Sequence, residues 1–243
     1  MTKMIGKLIF VLGLLGSGHQ VLAVPVLQLD IGGGYYVAGS EESIITSDEA
    51  FTVYAYATAN GNTTDSQLLA DTYYLAIALA PKQTSAGDFG SFSVNGTTVN
   101  ATADMIFGKP PTSAAHHLGA HDVYDTYYYE IAFNLVASQT SDIYNTQDNA
   151  GSGPIGSGPG MFYVDFDIDK TNLADGIELH FDLYNTKVKN NGTVTVDDFA
   201  PFSHDAGTVT VVPEPSNLAV GALGLLALLV GKRKGRGRDQ VSF

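Results

Sequence analysis

A repeated two-residue alternation of large apolar and polar side chains, broken at short intervals by turn residues, constrains this chain more than any other feature. Successive side chains of a strand face opposite ways, so the alternation lays one apolar face on a core. Ala50 to Ala59 puts Phe51, Val53 and Ala55 on one side and Thr52, Tyr54 and Tyr56 on the other. Tyr124 to Val136 carries Tyr127, Tyr129, Ile131, Phe133 and Leu135 at period two, and Val26 to Ile31 alternates until Gly32-Gly33-Gly34 stops it. Asp71 to Ala80 is more continuously apolar, which predicts a central strand buried on both faces. Asn95-Gly96, between the β-rich runs Gly90–Val94 and Thr97–Thr102, predicts a tight hairpin. Met161–Ile168, Ile177–Tyr184, Thr193–Val196 and Thr208–Val212 read as further strands, with a helical turn at Thr171–Asp175 and loops at Gly108–His121 and Thr146–Gly160. About nine or ten short strands with almost no helical period predict an all-β fold, an antiparallel β-sandwich of jelly-roll type. A closed barrel fits the same pattern.

The two ends do not belong to that pattern. Residues 1–23 carry Lys3 and Lys7, then the apolar run Leu8–Leu15, then Val21-Leu22-Ala23. This is the order of parts in a secretory signal peptide. Residues 213–238 carry Pro213-Glu214-Pro215, a charge-free apolar run from Ser216 to Gly231, and the basic cluster Lys232, Arg233, Lys234, Arg236 and Arg238. As a helix the 16 residues of the run cover about 24 Å, slightly short of a hydrocarbon core of about 30 Å. Snorkelling of Lys232 and Arg233 extends the reach, so a single transmembrane helix over 216–231 is predicted. Its basic flank belongs on the cytoplasmic side, which leaves the body outside.

Between these ends lies a body of residues 24–212, the size of one domain. It holds 23 acidic residues and five lysines, with no arginine, a formal balance of −18 against −13 for the whole chain. A surface short of Lys and Arg cannot neutralise phosphates, which excludes nucleic acid as a partner of the body. Such a surface can instead attract divalent cations or basic partners. Cysteine is absent, which excludes disulfides, thiol catalysis and thiolate zinc sites. Thirteen Tyr and 12 Phe supply the large apolar groups of the core in the absence of Trp.

Pro213-Glu214-Pro215-Ser216, the leucine-rich run and the basic cluster resemble the PEP-CTERM sorting signal of exopolysaccharide-producing Gram-negative bacteria, although here the tail runs on to Phe243. The resemblance implies a transient stay in the inner membrane, recognition of Pro-Glu-Pro by an exosortase, and delivery of the body to the cell surface or extracellular matrix. The body resembles the choice-of-anchor N group. It does so through the stretches Pro25–Asp30, Tyr144–Asn149, Phe181–Thr186 and Phe199–Asp205. That group brings no established activity to any residue.

Candidate sites in the body compete with plainer readings. Asp165, Asp167 and Asp169 alternate with Phe166 and Ile168, so on a strand they share one face, either a solvated surface or a Ca²⁺ surface. They do not open an EF-hand, because Lys170 and Gly176 stand where its Gly and Glu belong. Ca²⁺ is thus the one cofactor expected, if any. His116, His117 and His121 lie near Asp122 and Asp125, but the prolines before them indicate a loop, and no HExxH pattern exists. Ser203-His204-Asp205 invites a triad reading that adjacency in the chain argues against. Tyr73-Tyr74 and Tyr127-Tyr128-Tyr129 offer either a sugar platform or ordinary inward and outward strand positions.

No coherent catalytic set emerges, so the expected function is non-enzymatic: an exported structural, adhesive or exopolysaccharide-associated protein. Two alternatives stand beside it, a secreted glycan hydrolase using carboxylates such as Asp165, Asp167 or Glu178, and a calcium-stabilised adhesive domain.

Overall fold

A computed structural model describes residues 26–38, 43–60, 63–112, 114, 117–118 and 122–210. The expected signal peptide (1–23) and sorting segment (213–238), with Pro213, Glu214, Pro215 and the basic cluster, lie outside the described residues. Among the described residues, no helix is long and apolar enough to cross a membrane.

The chain begins with strands β1 (Leu27–Ile31), β2 (Tyr35–Val37), β3 (Ser43–Thr46) and β4 (Ala50–Thr58). A one-turn helix α1 (Asp65–Leu68) follows, capped by Thr64 and Gln67 in a capping box. Next come β5 (Tyr73–Ala80), β6 (Ser91–Val94), β7 (Thr97–Asn100), β8 (Ile106–Gly108) and β9 (Thr126–Phe133). The last strands are β10 (Thr140–Ser141), β11 (Met161–Asp169), β12 (Glu178–Val188), β13 (Val194–Phe199) and β14 (Asp205–Thr208). One sheet runs β1-β4-β11-β6-β7, with β10 also on β11; the other runs β2-β3-β14-β12-β5-β9-β8, with β13 also on β12.

The all-β expectation holds, and a single core lies between the two sheets. Leu27, Leu29, Ile31, Val53, Phe166 and Ile168 of the first sheet share it with Leu75, Ile77, Leu79, Leu179, Phe181 and Leu183 of the second. Phe51 meets Phe181 edge-on at 6.0 Å, and Phe133 meets Phe166 at 5.2 Å, so aromatic pairs bridge the sheets. The predicted faces of β4 are the observed ones: Phe51, Val53 and Ala55 face the core. β5 is central and buried nearly throughout, between β12 and β9. The β6–β7 hairpin turns on Asn95 and Gly96, both at positive φ, the geometry an Asn-Gly turn supplies.

Three expectations need correction. The sheets are not wholly antiparallel, because β14 runs parallel to β3. Among the described residues the last strand lies at Asp205–Thr208 and does not continue through Val209 and Thr210, while Val211 and Val212 of the expected Thr208–Val212 run lie outside the described residues; pairing with β3 and β12 on both sides overrides the weak strand preference of Asp-Ala-Gly-Thr. The Thr171–Asp175 stretch forms turns rather than helix.

Polar side chains of β1 fasten the long loop 142–160 over the outer face of the first sheet. Gln28 donates to the Tyr144 carbonyl and accepts from the Thr146 amide. The fully buried Asp30 accepts from the amides of Ile31, Gly151 and Gly153 at 2.8–2.9 Å. Burial raises its pKa, and the three amides counter that rise. Gly151 is required by close approach as well as by its φ of +80, since a Cβ there would stand 2.2 Å from the Gly34 carbonyl oxygen. Asp30→Ala is expected to lower unfolding free energy by about 3 kcal/mol, since it strands buried amides. Equilibrium urea unfolding checks this, and a loss under about 1 kcal/mol contradicts the clamp.

Candidate metal centre

The register of β12 decides what the outer face of the second sheet carries. Its odd residues Leu179, Phe181 and Leu183 enter the core, so His180, Asp182 and Tyr184 point away from it. Beside them on β5 stand Ala78, Ala76 and Tyr74, and beyond those Tyr128 and Glu130 on β9. On the other flank His180 pairs with Gly207 and Phe181 with Ala206, so one step further sets Asp205 beside Asp182. Ala76 and Ala78 leave room for a roof, which Leu118 and Tyr124 of the 109–125 connection provide, packing with Tyr128 and Tyr184 into a second small apolar cluster.

Beneath that roof lies a cluster of ligand-type atoms. His180 Nε2 is 3.3 Å from Asp182 Oδ2 and 3.9 Å from Asp205 Oδ2, and one ligand atom from each residue lies within 4.8 Å of the others. Side-chain exposures are 13% for His180, 4% for Asp182 and 1% for Asp205. The Tyr124 hydroxyl donates to Asp182 Oδ2 at 2.5 Å. Burial first, then the charge of Asp182, pushes the Asp205 carboxyl well above the usual range, with His180 opposing. Burial and the neighbouring Asp182 likewise raise the Tyr124 phenol. An imidazole and two carboxylates converging from adjacent strands form a ligand set for a divalent ion, with Tyr124 as an orienting partner.

The residues singled out in the sequence fall elsewhere. Asp165, Asp167 and Asp169 do share the exposed face of β11, as alternation predicts. Each takes a separate partner: Gln139 Nε2 to Asp165, Thr52 Oγ1 to Asp167, and the Thr171 amide and hydroxyl to Asp169. Glu178 opens β12 in the other sheet, bound by Lys170 at 3.7 Å and by the hydroxyls of Thr208 and Thr210. His116 and His121 lie outside the described residues. His117 lines an open groove at the β8 edge with Ile106, Phe107, Lys109 and Asp125. Tyr73 is a core residue and Tyr74 stacks on Tyr184 at 5.4 Å.

His204 is buried, with Ser203 Oγ 2.9 Å from Nδ1 and Asn145 Oδ1 3.1 Å from Nε2. The amide oxygen only accepts, so Nε2 carries the proton and Nδ1 accepts from Ser203. Asp205 is not in this chain of bonds; it faces His180. The four stretches that carry the resemblance of the body also meet one another. Gln28 holds Thr146, Gln147 Nε2 donates to the Ser203 carbonyl, Asn145 holds His204, and the Ala200 amide donates to the Leu183 carbonyl. No family model, curated protein or solved structure matches the chain.

The metal-type cluster went unseen in the sequence because Asp205 stands far along the chain from the His180-x-Asp182 pair, and only strand register joins them. His180-Leu-Asp182 within an apolar run was the available signal.

Burial lowers the His204 pKa from 6.5 to about 4. The unfolded imidazole therefore takes up a proton before the folded one does. The contribution is fully present above pH 6.5 and is lost as pH falls from there through about 4. Against His204→Gln, the wild type is expected to lose stability more steeply over that window in urea midpoints; parallel pH profiles contradict the assignment.

Proposed function

We propose that this is an exported, non-enzymatic surface or matrix protein, a β-sandwich of jelly-roll type carried by a signal peptide and sorted through Pro213-Glu214-Pro215, a transmembrane segment and the basic cluster. An exosortase is the transient partner, and the inner membrane the transient location. The observation that carries the reading is the place of β14. The last strand among the described residues, it lies inside its sheet between β3 and β12 and closes at Thr208, ahead of Pro213. Cutting near Pro-Glu-Pro would therefore remove none of the described strands.

The β8 groove supports contact with polysaccharide. Phe107 is exposed and lies 5.4 Å from Tyr127, presenting aromatic surface beside Lys109, Thr112, His117 and Asp125. Flat apolar rings next to hydrogen-bonding groups suit the two-sided chemistry of a sugar. The hydrolase alternative gains no geometric support, because Asp165 and Asp167 stand on the first sheet and Glu178 on the second.

Intact-mass measurement of the protein from its native host is expected to show loss of everything beyond about Pro215; a retained basic tail contradicts sorting by cleavage. Phe107→Ala is expected to lower retention on matrix polysaccharide severalfold while leaving stability within about 0.5 kcal/mol, as for an exposed position. Unchanged retention contradicts the groove.

A further inference from the structure

We propose that His180, Asp182 and Asp205 bind one divalent transition-metal ion, with Zn²⁺ the best-fitting, and that this ion fastens the last strand of the sandwich to its sheet. The proposal stands apart from the sorting and polysaccharide readings, since it concerns the folded body alone.

Geometry comes first. Around a four-coordinate ion with ligand distances of about 2.1 Å, neighbouring ligand atoms stand about 3.4 Å apart. Nε2 of His180 lies 3.3 and 3.9 Å from the two carboxylate oxygens, and the three ligand atoms all lie within 4.8 Å of one another, so a small closing movement of the carboxylates brings them to that spacing. Two of the ligands project from β12, which is hydrogen-bonded on both sides by β5 and β14, so the strands hold the ligand atoms in place.

Charge comes second. Two carboxylates buried on adjacent strands repel each other strongly where water cannot screen them. A divalent ion held between the two carboxylates offsets that repulsion. The strongly acidic body raises the local concentration of such ions.

Ligand type then selects the metal. One imidazole nitrogen with two carboxylate oxygens suits zinc and its neighbours, whereas Ca²⁺ requires six to eight oxygens. The Tyr124 hydroxyl on Asp182 supplies the outer-shell hydrogen bond that metal-binding carboxylates generally have. β14 meets β12 through the pairs His180 with Gly207 and Phe181 with Ala206, and Thr208 Oγ1 accepts from the Leu179 amide and donates to Glu178. An ion held by Asp182 and Asp205 adds a link at the opposite, Asp205 end of that contact.

The test uses the full chain in detergent, stripped with chelator, loaded with Zn²⁺, desalted and assayed for metal. One equivalent of zinc per chain is expected. His180→Gln and Asp205→Asn are each expected to weaken binding by at least about 100-fold, and Tyr124→Phe by about tenfold. Asp165→Asn with Asp167→Asn is expected to change nothing. Absence of retained zinc, retention unaffected in both ligand variants, or loss in the Asp165/Asp167 variant instead would overturn the proposal. Should the ligand variants fail to fold, Co²⁺ added to the unaltered protein decides. Visible d–d absorption displaced by Zn²⁺ is expected, and its absence overturns the site.

Discussion

Everything in this molecule depends on the packing of two sheets through one face each. A strand offers two faces, and the shared core of Leu29, Val53, Ile77, Phe166 and Phe181 uses only the inner ones. The central strands β4, β5 and β12 nevertheless carry buried residues on their outer faces, Tyr56, Ala76 and Asp182 among them. Connections supply the cover: 142–160 over the first sheet, and Leu118 and Tyr124 over the second. Each cover is anchored by polar bonds to strand residues that would otherwise sit in solvent. Gln28 and Asp30 hold the first through backbone amides, and Asp182 holds the second through Tyr124.

The two anchors differ in how their charge is balanced, and the difference has chemical consequences. Asp30 is one carboxylate met by three amide donors, an arrangement that satisfies a single buried charge and leaves nothing to recruit. Asp182 shares its site with Asp205 and an imidazole, so titratable side chains stand among its neighbours. The first is a structural clamp. The second has the composition of a ligand set, and Asp205 ties it to β14, the last strand among the described residues.

Much of the fold was legible in the sequence because local rules and tertiary context agreed. Alternation gave the faces of β4 and β9, continuous apolarity gave the central place of β5, and Asn95-Gly96 gave its hairpin. Where they disagreed, reading failed. Asp-Ala-Gly-Thr has no strand signature of its own and becomes β14 only between β3 and β12. The candidate site was less legible for the same reason. Asp165, Asp167 and Asp169 are conspicuous together in the chain yet take separate partners, whereas Asp205 meets His180 and Asp182 only through register. The adjacency of Ser203, His204 and Asp205 also misdirects, since backbone alternation turns Asp205 toward a different neighbour from His204.

The central claim is that the covered outer face of the second sheet is a metal site built by strand register. Crystals of the full-length protein grown with Zn²⁺ and measured above the zinc absorption edge test it most directly. The account predicts one anomalous peak at about 2.1 Å from His180 Nε2 and from a carboxylate oxygen of both Asp182 and Asp205. A map with no peak there and the imidazole bonded directly between the two carboxylates would contradict it, as would a peak on Asp165, Asp167 and Asp169.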